Sequence, residues 1–239
     1  MYTPRRFILI LALFVIGRAL AAEPWPQIPS PPHATVLAWV GDDMRINGIP
    51  TRVLKFHSRD PRTTVIEYYR SFWTGGYAVK AIVKPLGSSA TVVSQRHGPY
   101  FMMVKAQDLS DGSSEGLISV ARIAGSKVKM DAGDLPLIPG AHVVSVVESA
   151  DPGKHSREVV VLAQQPPTSV AQFYQASFTN AGWHQVQATE GNASRGAASF
   201  VVFARQDSEM QLAIAPVANG RATTLVANLV TKDTGRNLF

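Results

Sequence analysis

Histidine is the side chain of this sequence best suited to act as an acid, a base or a metal ligand near neutral pH. The chain has six, at His33, His57, His97, His142, His155 and His184, and it has no cysteine. No two histidines lie within four residues of each other, so the spacing that lets a pair bind one zinc ion is absent. We therefore predict no metal and no cofactor, while two or three histidines distant in sequence could still meet in a cleft.

A hydrolase needs a nucleophile, a base and a group that orients the base. The sequence has no Gly-x-Ser-x-Gly, no Ser-x-x-Lys and no glycine-rich phosphate loop. Asp108 to Glu115 is acidic, but its carboxylates fall at the wrong intervals for an EF-hand and favour a polar hairpin turn. No catalytic residue is predicted, and we expect function to reside in a surface.

Positive charge is concentrated in the first half of the chain. Residues 34–130 contain thirteen Lys or Arg against seven Asp or Glu, whereas residues 131–239 contain seven against nine. The candidate binding residues are the basic side chains around the first predicted helix: Arg52, Lys55, Arg59, Arg62 and Arg70. If they share one surface, that surface attracts a protein or an anionic envelope component; the alternative is a solvated exterior of mixed charge.

The elements that would position these residues are indicated by an internal repeat. Segment 61–77 recurs as 166–183, with one extra residue before the second glycine. Each copy opens on proline and closes on glycine, which is typical of a helix. Large apolar residues share one face of each helix: Val65, Tyr69, Phe72 and Trp73 in the first, and Val170, Phe173, Tyr174 and Phe178 in the second. We expect these faces to be buried.

Six short, β-branched or aromatic runs accompany each helix, and most are bounded by turn residues. They are 35–40, 52–57, 77–83, 91–95, 100–106 and 117–123, then 142–148, 158–163, 184–188, 199–204, 210–216 and 223–230. An internal repeat of this length predicts a repeated architecture. The predicted fold class is α+β, with two tandem duplicated domains, 34–128 and 140–232, each an antiparallel sheet packed on one helix. The linker 129–139 is expected to be a hinge or spacer, and the tail 233–239 to fray.

The pattern of residues 1–21 is typical of a secretory signal peptide. Arg5 and Arg6 precede an apolar stretch, and Ala19-Leu20-Ala21 provides a small-residue cleavage site. The alternative, an uncleaved anchor, is disfavoured because the apolar run stops at Arg18, short of the roughly 20 residues that cross a bilayer. We predict a periplasmic protein with no stable membrane insertion and no nucleic-acid partner, followed by a proline-rich spacer at 22–33.

The string Val170-x-x-Phe173-Tyr174-x-x-x-Phe178-x-x-x-Gly182-Trp183, with a looser twin in the first copy, resembles a helix signature of small exported bacterial envelope domains. The resemblance covers about a third of the chain and rests on positions predicted to lie in the core. It implies bacterial export and a helix-on-sheet fold, and it carries over no catalytic residue.

Three functions are compatible with these patterns. The first is a non-catalytic periplasmic binding or assembly module, an accessory of an envelope or secretion machine. The second is a hydrolase with its site in the cleft between the two copies, where several histidines and a carboxylate would have to meet. The third is a periplasmic immunity or inhibitor protein. The missing catalytic motifs favour the first.

Overall fold

The computed structural model describes residues 24–76, 80–189, 198–217 and 220–233. Within these ranges the chain is an α+β protein with two helices and twelve strands. The elements are β1 (Ala34–Ile46), β2 (Ile49–Ser58), α1 (Arg62–Gly76), β3 (Ile82–Leu86), β4 (Ala90–His97), β5 (Tyr100–Asp108), β6 (Ser114–Arg122), β7 (His142–Asp151), β8 (Lys154–Ala163), α2 (Pro167–Asn180), β9 (His184–Thr189), β10 (Ser199–Arg205), β11 (Ser208–Val217) and β12 (Ala222–Lys232). None of the helices described is long and apolar enough to cross a bilayer.

All twelve strands belong to one antiparallel sheet, in the order β3-β4-β5-β6-β2-β1-β7-β8-β12-β11-β10-β9. The predicted fold class, two tandem duplicated domains each with its own sheet, is therefore wrong: the fold is dominated by a single continuous sheet. The prediction failed because it left β1 and β7 as separate edges. Met44–Ile46 of β1 instead pairs with Val147–Ser149 of β7.

The junction of the two halves is reinforced at the turn after β1. The Asn47 amide N–H donates to the Val146 carbonyl at 2.7 Å, and the Asn47 side-chain oxygen accepts from the Val146 amide at 2.8 Å. Asn47 has a positive φ of 52°, a conformation that asparagine tolerates better than most residues. A short turn and three residue pairs between β1 and β7 thus join the two halves into one sheet.

Each helix packs on its own half of the sheet. In α2, Val170, Tyr174 and Phe178 are buried, as predicted, and Phe173 packs partly against the same cluster. In α1, Val65, Tyr69 and Trp73 are fully buried. Phe72 was predicted to lie on this face, but its side chain is 42% exposed. It follows Tyr69 by three residues, and the 100° turn per residue leaves it at the margin of the buried stripe.

The two segments that precede β1 and β7 were expected to be spacers, and the structure corrects this. Both contain Pro-x-Ile-Pro, at 26–29 and 136–139. Ile28 packs against the core of the first half, and Ile138 is buried in that of the second. Each segment therefore runs beside a helix on the same face of the sheet and covers its core. The predicted signal peptide, most of the tail and Tyr77 lie outside the described residues.

Candidate ligand-binding site

A cavity of about 530 Å³ lies in the second half, between α2, the sheet and the covering segment 132–136. Its walls are mainly apolar and come from α2, β8, β11, β12 and the turn after α2; they include Val159, Phe178, Trp183, Met210 and Leu229. Ser177, Ser208 and Thr231 provide hydroxyl groups, and Arg157 and Arg205 provide guanidinium groups. The cavity thus combines a large apolar surface with a few polar groups.

One wall is fixed by the way α2 ends. Gly182 has a φ of +77°, which turns the chain back so that the Trp183 amide donates to the Phe178 carbonyl at 2.9 Å. The Trp183 ring then packs edge-on against Phe178, with ring centroids 5.6 Å apart. The sequence predicted this turn and the buried helix face, but not that both border a cavity.

Arg205 closes the side next to Trp183. Its guanidinium carbon lies 4.7 Å from the centre of the Trp183 ring, within the range of a cation–π contact. Its Nη1 donates to the Ala181 carbonyl at 3.0 Å. These two contacts hold Arg205 against the end of α2.

Arg157 anchors the covering segment. Its Nη2 donates to the Asp131 carboxylate at 2.9 Å and to the Asp131 carbonyl at 2.8 Å, and its Nη1 pairs with Glu148. The Lys129 ammonium, the Gly133 amide and Arg157 together lower the pKa of Asp131, so the carboxylate stays ionised at neutral pH. Gly133 has a φ of +58° and passes so close to Arg157 that a Cβ there would lie 3.1 Å from its Nε.

The corresponding region of the first half is occupied by side chains. Trp25, from the covering segment, packs on Tyr100 with ring centroids 5.4 Å apart. The guanidinium carbons of Arg52 and Arg122 lie 4.8 and 4.9 Å from the centre of the Trp25 ring. A cavity of about 410 Å³ remains on the side facing β1, where Trp39 and Leu54 line it, but no α1 residue does.

The five basic residues singled out from the sequence do not form one surface. Arg52 lies under Trp25. The Lys55 side chain, three residues along the same strand, projects from the opposite face of the sheet and pairs with Glu115 at 3.6 Å. Arg62 pairs with Asp108 at 3.0 Å and Arg70 with Glu67 at 2.7 Å; Arg59 is exposed. Three of the five charges are thus offset by neighbouring carboxylates.

The histidines are spread over the sheet. His33 pairs with Asp60 at 3.0 Å and His155 with Asp233 at 3.3 Å. His142 and His184 open β7 and β9, and His97 ends β4. Among the described residues, no group of three His, Asp or Glu side chains could hold a metal ion.

Among the described hydrogen bonds, the one between His57 and Ser113 joins a histidine to a serine, as in the active site of a serine hydrolase. Its Nε2 lies 3.3 Å from Ser113 Oγ, and its Nδ1 lies 2.7 Å from Thr35 Oγ1. The Ser113 hydroxyl, however, donates to the Asp111 carboxylate at 2.5 Å, so its proton is directed to the acid rather than to the imidazole. In a catalytic triad the carboxylate orients the histidine instead. The arrangement is that of a hydrogen-bonded turn.

The residues that line the cavity were missed as site residues by sequence reasoning. Trp183 and Phe178 carried only a structural prediction, and Arg157, Arg205 and Met210 carried no functional one. The available signal was a comparison of the two repeats position by position. That comparison places Ser208 and Thr231 where the first half has Tyr100 and Arg122, and such replacements open space.

Comparison with known proteins gives one match. A family model described as START domain-like matches residues 143–233. This segment is the second half of the sheet with α2, and it supplies most of the cavity wall. No curated protein and no solved structure matches the chain. The second half is thus similar to START domain-like proteins over 143–233, less than half of the chain.

Proposed function

We propose that this chain is a non-catalytic ligand-binding protein of the bacterial periplasm, and that the cavity beneath α2 holds a small, largely apolar molecule. The cavity itself carries the proposal. Its volume of about 530 Å³ falls within the roughly 300 to 1,000 Å³ of small-molecule sites. Its apolar walls with a few polar groups are also typical of such sites.

The chemistry of the walls favours an apolar body over a strongly charged one. Both guanidinium groups at the cavity already have partners, Arg157 through its two Nη atoms and Arg205 through Ala181 and Trp183. The buried Arg157 Nε has no hydrogen-bond partner among the described residues, and the Asp134 carboxylate also lines the cavity. A ligand acid would have to compete with the partners of the two guanidinium groups. The hydroxyl groups of Ser177, Ser208 and Thr231 remain suitable for orienting one or two polar atoms of the ligand.

The similarity of 143–233 to START domain-like proteins supports a ligand-binding function in general. The N-terminal pattern of arginines, apolar stretch and small-residue cleavage site supports export. So does the resemblance of the α2 signature to exported envelope domains. The proposed setting is therefore the periplasm, where the bound molecule or a protein partner would belong to the cell envelope.

The test is a fluorescence titration of the purified chain with N-phenyl-1-naphthylamine, a neutral apolar dye that brightens in apolar sites. We expect saturable binding with one dye per chain. Ser208→Tyr should lower the affinity at least tenfold, because a phenol ring placed at the rim would occupy the cavity. Melting curves of the variant establish that it remains folded.

The matched control is Ser208→Ala. This change removes the same hydroxyl group, which lies 3.1 Å from Thr231 Oγ1, but it fills no space. Retained binding in Ser208→Ala with loss in Ser208→Tyr would locate the dye in the cavity. Equal binding by both variants and the parent chain would contradict the proposal.

A further inference from the structure

The first part of β1 is an exposed strand in the middle of the sheet order. Every residue from 34 to 40 is exposed. These residues pair with β2 on one side, whereas the pairing of β1 with β7 is confined to Met44–Ile46. In the part of the chain that the structure describes, residues 34–40 therefore leave one row of backbone N–H and C=O groups without a strand partner.

Residues 36–40 lack the charged residues and proline that usually prevent association, although irregularities in the pairing of β1 with β2 flank them on both sides. Natural edge strands carry charged residues, proline or polar side chains that disfavour pairing with another chain. The outer strand β3 has Lys84 and Pro85, and the outer strand β9 has Gln185 and Gln187. Residues 34–40 contain no charge, and their large apolar side chains are about half exposed: Val36 48%, Leu37 46%, Trp39 56% and Val40 50%.

We propose that two copies of this chain pair through residues 36–40 of β1, antiparallel and centred on Ala38. The sequence is self-complementary in that register. Val36 lies opposite Val40 of the second copy and Leu37 lies opposite Trp39, so that each large apolar side chain faces another on the same side of the sheet. The row of unpaired backbone groups of each copy is satisfied by the other.

The expected association is weak. A five-residue strand pair buries less than the 1,200 to 2,000 Å² of a standard stable interface, and interfaces below that size are transient. We expect a dimer that forms at about 100 µM protein and dissociates on dilution. The surface lies in the first half and is independent of the proposed ligand cavity in the second.

The experiment uses the absence of cysteine from the chain. Ala38→Cys places two thiols opposite each other on the symmetry axis, within the roughly 4.4 to 6.8 Å between Cα atoms that a disulfide spans. We expect a disulfide-linked dimer under mild oxidation. The matched control is Val186→Cys, which lies on the outer strand β9 and is 61% exposed; it should form at least tenfold less dimer.

Sedimentation of variants without cysteine completes the test. At 100 µM the parent chain should sediment as a monomer–dimer mixture, Leu37→Lys as a monomer, and Val186→Lys like the parent. A parent chain that is monomeric at this concentration, with Ala38→Cys cross-linking no better than Val186→Cys, would overturn the proposal. That outcome would leave the edge to a different protein.

Discussion

The two halves of the sheet have the same strand order from the outer edge to the centre, but they differ in what lies beneath the helix. Ser114 Oγ donates to the Asp60 carbonyl at 2.7 Å in the first half, and Thr223 Oγ1 donates to the Gln165 carbonyl at 2.7 Å in the second. These matched contacts, with the strand registers, define equivalent positions. The two halves share the same arrangement of strands and helix, so the difference between them lies in their side chains.

Three equivalent positions separate a filled region from an open one. The first half has Trp25, Tyr100 and Arg122, which stack on one another. The second half has Leu135, Ser208 and Thr231, all of which line the cavity. Replacing large side chains by small ones without collapse of the surrounding sheet leaves space in proportion to the atoms removed. The space beneath the helix can thus be open in the second half while Trp25, Tyr100 and Arg122 fill its counterpart in the first, where the cavity of about 410 Å³ lies to the side that faces β1.

An arginine common to both halves illustrates the same change. Arg52 and Arg157 occupy equivalent positions in β2 and β8. Arg52 lies against the Trp25 ring, whereas Arg157 has no aromatic ring above it and pairs with Asp131 and Glu148. Asp131 ties the covering segment to Arg157, a part that Trp25 plays with Arg52 in the first half. An arginine at equivalent positions therefore holds the covering segment in both halves, through a tryptophan ring in the first and a carboxylate in the second.

The largest expected effect comes from the buried helix faces, on which the two halves agree. Trp73→Ala and Phe178→Ala should each lower the free energy of unfolding by about 3 to 5 kcal/mol, the range for truncation of a buried aromatic residue. Phe72→Ala, at an exposed position, should change it by less than about 0.5 kcal/mol. Urea denaturation measures all three. Similar losses for Phe72 and Trp73 would mean that the wrong face of α1 had been placed inside.

Opening the first half should make it resemble the second. Trp25→Ala removes the ring that lies between Arg52 and Arg122, and we expect it to lower the free energy of unfolding by about 2 kcal/mol. It should also create a second binding site for N-phenyl-1-naphthylamine. Phe101→Ala, at a 40% exposed residue of β5, is the control for loss of an aromatic side chain. An unchanged dye stoichiometry in Trp25→Ala would show that Trp25 is not what fills this region.

The equivalent tyrosines Tyr69 and Tyr174 offer a finer comparison. Tyr69 donates its hydroxyl hydrogen to the Pro29 carbonyl at 2.7 Å, whereas the buried Tyr174 hydroxyl has no hydrogen-bond partner among the described residues. The carbonyl of Pro139, which occupies the place of Pro29, accepts from Gln165 instead. Tyr69→Phe should therefore cost about 1 kcal/mol of stability, and Tyr174→Phe should be neutral or stabilising. Equal losses in urea denaturation would contradict the assignment.

The last effect expected is a loss of stability in alkali. Burial raises the pKa of Tyr69 and raises that of Tyr174 to about 12, compared with about 10 in an unfolded chain. The two tyrosines therefore stay protonated to a higher pH in the folded state than in the unfolded chain. Their contribution to the free energy of unfolding is complete below pH 10 and is lost as the pH rises from about 10 through 12. Urea midpoints at pH 8, 9.5 and 11 should fall only at the highest value. Tyr174→Phe should show a smaller fall, and an equal fall would exclude Tyr174 as a source.

Local structure could be predicted from the sequence because its signals are local. Alternation and bounding turn residues predicted ten of the strands within four residues at each end, and most of the helix faces followed from spacing. The run 35–40 ended six residues before β1 does and so missed the part that pairs with β7. The run 77–83 was less accurate, since the described strand begins at Ile82. The join between β1 and β7 could not be predicted, because three residue pairs and the Asn47 turn leave no pattern in either strand alone.

The cavity could not be predicted because it depends on side-chain volumes from elements far apart in the chain. Ser208, Thr231 and Leu135 each look ordinary alone, and only their joint placement leaves space. The basic surface illustrates a related point, since charge counts do not say from which face of the sheet a side chain projects. Arg52 and Lys55 are close in sequence but lie on opposite sides of the sheet.

Methionine methyl NMR provides the most direct test of the difference between the halves. Met102 and Met210 occupy equivalent positions, both are buried, and of the two only Met210 lines a described cavity. In the chain labelled at its methionine methyl groups, addition of N-phenyl-1-naphthylamine should shift the Met210 signal and leave that of Met102 unchanged. A shift of Met102 with an unchanged Met210 would contradict the account.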